Sequence, residues 1–333
     1  MSNSYRRVFT RCVAVVGLLA GLVSPAVALE KIRVGVLEFG TVNWEMDTAQ
    51  QHKLAEQQGV ELEVVPLASA DASTVALQGG AVDVIVPDWV WVNRQRATGQ
   101  DYTLFPYSYS LGSVMVKADS PIKTLADLKG KKLGVAGGAN DKSWLLLRAY
   151  AQKQDLDLAN DANVQFAAPP LLNELVGKGE LDAVLNFWNF AARLQANGMK
   201  PVITMSQVIE GLGIKGDLPL VGWVFSEKWA GEHKTAMQGF LKASYDAKKL
   251  LKEDNAEWDR LRPRMKAEND AVFTALRDSF RSGIPACFGD KEKQAASDAF
   301  TILSAAGGSE LVGEAKTLDK SVFWADFSLP ACP

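Results

Sequence analysis

Apolar residues recur along this chain in two alternating rhythms, short continuous runs and longer stretches with helical spacing. Residues 32–39 and 61–66 read as strands, 47–58 as a helix between them, 72–79 as a second helix and 82–86 as a short buried strand. That alternation predicts an α/β sheet. The rhythm returns with a helix over 142–154, a strand near 164–167, a helix near 171–178 and a strand over 181–186. The extended apolar stretches 111–117 and 218–225 read as two crossings between two such units. From Glu227 onward the spacing is helical, with Trp229, Met237, Phe240, Leu241, Tyr245 and Leu250 on a packing face expected to cover the first unit.

Two open α/β units joined by two crossings leave a cleft, and ligands of such sheets sit beyond the carboxyl ends of strands. The loops in those places are Gly40–Asp47, Pro87–Trp91, Gly137–Trp144 and Asn186–Asn189. Trp44, Trp89, Trp91, Trp144 and Trp188 are five of the nine tryptophans, so the aromatic residues gather at the expected strand ends. Such a lining suits a ligand with an apolar, aromatic or cationic face. Trp91 and Trp144 lie within helix starts and read as core. Gly137 and Gly138 before a helix are either a tight turn or, with Ser143, a seat for an anionic group. Glu38, Glu45, Asp47 and Asp88 are helix-start or solvated carboxylates, unless one of them faces a tryptophan and favours a cationic ligand.

The ends of the chain bear on its compartment. Arg6, Arg7 and Arg11 precede an apolar run over 12–23 and the small-residue pattern Ala26-Val27-Ala28, which together predict a cleaved secretory leader over 1–28. The run is shorter than the ~20 residues of a spanning helix. Without the leader's three arginines, 33 basic residues face 39 acidic ones, a balance that argues against nucleic acid as a partner. Cys287 and Cys332 would then be the remaining cysteines and are expected to pair in an oxidising compartment. A bridge there would contribute roughly 3–4 kcal/mol in the chain-entropy picture. The remaining chain of about 305 residues, from a sequence 47% hydrophobic, suits two domains.

One segment carries more than periodicity. Thr124 and Asp127 have capping-box spacing, predicting a short capped helix, Gly130 allows a turn, and Lys132–Val135 begins a strand that runs toward Gly137-Gly138. Asp127-Leu128-Lys129-Gly130-Lys131-Lys132-Leu133-Gly134-Val135 resembles the segment that opens the second domain of periplasmic solute-binding proteins. Gly79-Gly80-Ala81-Val82-Asp83-Val84 and Gly179-Glu180-Leu181-Asp182-Ala183-Val184, with 120–138, are similar to the nitrate, sulfonate, taurine and thiamine-precursor branch of ABC importer receptors. The resemblance runs from about Lys31 to about Phe225. It implies a two-lobed type II binding-protein fold with lobe 1 formed by 29–112 and 222–333 and lobe 2 by 113–221. It further implies a solute cleft, a membrane permease as partner, a monomer and no cofactor. Carried over by residue, it places ligand contacts at Trp44, Asp88, Trp89, Ser108, Gly138, Asn140, Ser143, Asn186 and Trp188. The chain departs from the oxyanion pattern in having little Arg or Lys in these loops, Lys142 being the exception, which favours a small organic solute.

An enzyme is the competing class. His52 and His233 are the only histidines, and no nucleophile elbow, phosphate loop, dinucleotide fingerprint or zinc-binding motif is present. Catalysis would rest on carboxylates alone. A third class is a binding-protein fold serving a periplasmic enzyme as an accessory partner. The expected role is a periplasmic receptor that presents a small organic solute to an ABC permease.

Overall fold

The computed structural model describes residues 28–330. Residues 1–27 of the predicted leader and Cys332 lie outside the described residues, and Cys287 is not a free thiol. Lobe 1 opens with β1 (Glu30–Leu37), α1 (Val42–Gln51), β2 (Val60–Leu67), α2 (Ala70–Gln78), α3 (Trp89–Ala97) and β3 (Tyr102–Ser108). Lobe 2 holds β4 (Ser113–Val116), β5 (Lys132–Ala136), α4 (Lys142–Gln152), α5 (Leu158–Asp161), β6 (Asn163–Ala167), α6 (Pro169–Lys178), β7 (Ala183–Asn186), α7 (Trp188–Ala196), β8 (Lys200–Thr204) and α8 (Met205–Gly211). The chain returns through β9 (Val221–Ser226) and continues as α9 (Glu227–Glu232), α10 (Lys234–Glu253), α11 (Asn255–Met265), α12 (Asp270–Ser282) and α13 (Asp290–Val312).

Both lobes use one sheet order. In lobe 2 it is β6-β5-β7-β4-β8, with β5 parallel to β6 and β7 and β4 antiparallel to β7 and β8. In lobe 1, β1 is parallel to β2 and β3 is antiparallel to β9, and residues 84–85 join the two pairs. Val34 bridges Val84 in parallel and Ile85 bridges Val224 antiparallel, so the order across the lobe is the same. The strand expected over 82–86 is thus a two-residue link. Its length is limited at one end by Asp83, whose carboxylate accepts the Arg33 backbone N–H at 2.8 Å and pairs with the Arg33 guanidinium. At the other end Pro87 cannot donate to a ladder.

Three local expectations need correction. The first helix begins at Val42 rather than Asp47, because Trp44, Glu45 and Met46 already point inward, and it stops at Gln51, after which Lys53 adopts a left-handed φ of 52°. The capped helix after Ser120 is a single 3-10 turn over Ala126–Leu128. There Asp127 accepts the N–H groups of Lys123 and Thr124, both at 2.9 Å, and Thr124 donates its hydroxyl to Asp127 instead of capping with it. The left-handed Gly130 follows too soon for an α-turn to form. The chain passes between the lobes over 109–112, since Ser113–Val116 already belongs to the sheet of lobe 2.

The helical C-terminal part does more than cover lobe 1. α10 packs on α1, β1 and β2, burying Met237, Phe240 and Leu241, each worth roughly 1.5–3 kcal/mol in transfer terms. α12, however, packs on α7, and α13 packs on both α4 and α3. The helical layer therefore holds both lobes.

On the outer side of α1 a polar network fastens it to α11. Thr48 and His52 bond to Glu257 at 2.7 and 3.0 Å, Arg260 pairs with Glu257 at 2.6 Å, and Arg264 pairs with Asp47 at 2.6 Å. Burial opposes ionisation of Glu257, but the bonds from Arg260, His52 and Thr48 outweigh it and bring the carboxyl from 4.5 down to about 2. A depressed carboxyl stabilises the fold above its unfolded value and loses that contribution as pH falls through the folded one. The stability difference between the unaltered protein and Glu257→Gln, from urea unfolding, is predicted to shrink by roughly 3 kcal/mol between about pH 5 and pH 2. A difference that stays constant across that range contradicts the network.

Candidate functional site

The strand-end loops of the two lobes meet at two places. On one side β1 ends at Leu37, and Asn43 fixes the turn into α1 by donating to Leu37 O at 2.8 Å and Gly40 O at 2.9 Å. This start places Trp44 of α1 against Trp188, the first residue of α7, with ring centroids 6.2 Å apart and nearly perpendicular. Trp258 and Phe280, from α11 and α12, close around Trp44, each with centroids at 5.9 Å. Trp44 keeps only 5% of its surface exposed, and Trp188 is half-buried.

On the other side an ion pair spans the lobes. Asp88 caps α3 by accepting the Trp91 N–H at 2.9 Å, and its second carboxylate oxygen meets the Lys142 ammonium, at the first residue of α4, at 2.6 Å. Asp141 caps α4 through the Trp144 N–H at 3.1 Å. Gly137 takes a φ of 82°, and a Cβ there would stand 2.5 Å from the Asp141 carboxylate, so the turn requires glycine twice over. Burial disfavours charge on Lys142, yet the charges of Asp88 and Asp141 hold its pKa above the ordinary lysine value. Asp141 is pushed up to about 6, mainly by burial and in part by Asp88, against the stabilising Trp144 N–H and Lys142 charge. The anion-favouring end of α4 is thus already capped by its own Asp141, while the lobe 1 carboxylate Asp88 meets the Lys142 side chain beside it.

The remaining expected contacts are spread around this frame. Ser143 is buried beside Lys142, Gly138 is half-exposed and Asn140 exposed. Ser108 is occupied near the first crossing, donating to Gly283 O at 3.3 Å and accepting from Ser110 N at 3.0 Å. Asn186 is committed to the lobe 2 loops, donating to Pro169 O and Asn173 Oδ1 and accepting from Phe187 N. Trp89 is fully buried, and its indole N–H has no hydrogen-bond partner among the described residues. The structure therefore brings Asp88 and Trp188 into contact with the other lobe and buries Trp44, Trp89, Ser143 and Asn186. Lys142 joins the site, signalled in the sequence as the cation among these loops; Trp258 and Phe280 had no local signal.

Behind Trp44, Glu45 makes a fully buried ion pair with Lys248 of α10. Ser244 donates to Glu45 at 2.5 Å, and the Lys248 ammonium lies 3.9 Å from the Tyr107 ring centroid, with Tyr245 and Trp223 at 5.5 and 5.8 Å. Burial pushes Glu45 up and Lys248 down, each opposed by its partner. Two open grooves lie elsewhere: one of about 530 Å³ beside Lys117, Asn173, Arg193 and Glu268, and one of about 510 Å³ between Gln58, Gln238 and Phe327.

The sequence profile of the NMT1/THI5-like family matches residues 46–257, which run from α1 into α11. The chain belongs to that family. The L-cystine-binding protein TcyJ of Escherichia coli K12 is 31% identical over 144 residues, 43% of this chain and 49% of the relative. The chain thus spans about half the length of that curated relative. Among solved structures, the periplasmic aliphatic sulphonate binding protein SsuA of Escherichia coli superposes with a TM-score of 0.71 at 18% identity, over 91% of this chain and 95% of that one. The desulfurization enzyme DSZB superposes with a TM-score of 0.57 at 15% identity, over 84% and 92%. The likeness to SsuA carries the two-lobed binding-protein fold expected from the sequence, and with the family membership it bears out the resemblance to the nitrate, sulfonate, taurine and thiamine-precursor branch of binding proteins.

The ion pair is partly buried and joins separate lobes, so it should couple more strongly than an exposed pair and less than a fully buried one. Asp88→Asn keeps the helix cap while removing the charge. A double-mutant cycle of Asp88→Asn with Lys142→Met, read by urea unfolding, is expected to give a coupling energy of about 1–2 kcal/mol. Strict additivity contradicts an energetic bond between the lobes.

Proposed function

We propose that the protein is a periplasmic receptor that holds a small organic solute between its lobes and delivers it to the membrane permease of an ABC importer. The observation that carries this reading is the convergence of strand-end loops from both lobes on Asp88, Lys142 and Trp188. A solute inserted there exchanges the protein's own interlobe contacts for contacts with itself, which links binding to hinge closure at the crossings. The named binding proteins among its relatives support the same role, and the periplasmic setting of SsuA agrees with the predicted leader.

A catalytic reading has one specific observation in its favour, the likeness to a desulfurization enzyme. Against it stands the occupation of the site's polar groups: Asp88 and Asp141 serve as helix caps and surround Lys142. That arrangement suits recognition of charge better than proton transfer to a substrate. The receptor reading includes a monomeric protein without a cofactor and with a Cys287–Cys332 bridge.

Native mass spectrometry of the full protein purified from its own periplasm is expected to show a one-to-one adduct of a small organic molecule that is released unchanged on denaturation. Recovery of a chemically altered molecule after turnover, or a protein mass without any adduct across gentle purifications, contradicts the receptor.

A further inference from the structure

Two carboxylates, one from each lobe, act on a single ammonium at the seam. Asp88, at the start of α3, meets the Lys142 ammonium at 2.6 Å, and Asp141, the residue before Lys142, adds its charge from the same lobe as the lysine. The Asp141 carboxylate is held at both oxygens. One accepts the Trp144 N–H at 3.1 Å, and the other lies against Gly137, where a Cβ would stand 2.5 Å from it. With both carboxylates ionised, the three groups carry one net negative charge on a partly buried seam that water screens poorly.

Parting the lobes changes this cluster in one direction. Asp141 and Lys142 are neighbours in lobe 2 and stay together, whereas Asp88 leaves with lobe 1. Closure therefore brings a second negative charge toward Asp141 and draws part of the Lys142 charge to Asp88, and both changes favour a proton on Asp141. With the lobes in contact, burial first and the Asp88 charge in addition raise Asp141 from 3.8 to about 6, against the Trp144 and Ser143 N–H groups and Lys142. A conformation that binds a proton more tightly gains on acidification, so acid favours the closed lobes. The further charge that reaches Lys142 is Arg94 of α3, while α13 meets α4 through Gly307 at Leu145 and α8 meets it through Gly211 at Tyr150. His52 and His233 bond elsewhere, to Glu257 and Glu30.

We propose that Asp141 makes closure of the lobes proton-linked: a proton on its carboxylate strengthens the hold of Asp88 on Lys142 and closes the cleft, and loss of that proton loosens it. This rests on the hinge motion of the receptor reading. If opening returns Asp141 fully to 3.8, the closed-to-open ratio rises about tenfold between about pH 7.5 and pH 5, and less if the return is partial.

Two variants separate the parts. Asp141→Asn keeps the cap of α4 and holds the neutral charge at every pH, and Asp88→Asn keeps the cap of α3 while removing the charge from lobe 1. Both leave the two histidines in place. Carboxyl 13C NMR of the full, solute-free protein should give Asp141 a midpoint near pH 6, moved down by at least about 0.5 in Asp88→Asn. Small-angle X-ray scattering should show the unaltered protein growing more compact from about pH 7.5 to pH 5, and Asp141→Asn compact throughout. An Asp141 midpoint in the ordinary carboxyl range, a midpoint unmoved by Asp88→Asn, no acid compaction, or the same acid compaction in Asp141→Asn overturns the proton link. A periplasmic adduct beside any of these results overturns the link alone, whereas a missing adduct beside acid-driven closure overturns the receptor reading alone.

Discussion

The contact between the lobes is the constraint on which the rest of the structure depends. The Trp44–Trp188 ring contact and the Asp88–Lys142 ion pair each take one partner from either lobe, so neither forms unless the lobes touch. The apolar half of the seam is non-directional, and Trp258 and Phe280 extend it into the C-terminal helices. The ionic half is directional: Asp88 must stand at the start of α3 and Lys142 at the start of α4 for the 2.6 Å pair to form. Together they set the register of the lobes, and they do so with the groups a solute would address.

The buried Glu45–Lys248 pair explains why α1 can present Trp44 at all. Desolvating two charges is costly unless geometry and hydrogen bonds offset it, and here Ser244 and three aromatic rings complete the surroundings. Trp223 donates in turn to Ser244 at 3.0 Å, which ties β9 to the cluster. α1 is thereby fixed to α10 by the Glu45–Lys248 pair and to α11 by the bonds of Thr48 and His52 to Glu257. The helix is held on the side away from the cleft, which leaves its first turn to meet α7.

Much of this was legible in the sequence. The alternation of apolar runs marks the strands and helices of both lobes because their burial is local in origin, set by periodicity within each element. The Gly137-Gly138 turn was legible for a similar reason, since a left-handed turn demands particular residues. What escaped depended on distant partners. Trp44 looks the same in the sequence whether it meets a solute or, as here, Trp258 and Phe280 from helices beyond the return crossing. Asp127 has cap spacing, but the early Gly130 leaves room for one 3-10 turn only. Lys142 could be recognised as a lone cation, while its pairing with Asp88 required knowing that two loops from different lobes would touch.

The most direct measurement is a crystal structure of the protein with the solute that it carries from its own periplasm. The account predicts electron density between the lobes, within hydrogen-bond distance of Lys142 or Asp88 and in van der Waals contact with Trp188. Density instead in the groove beside Lys117, Arg193 and Glu268, with the Asp88–Lys142 pair intact and nothing between the lobes, would contradict it.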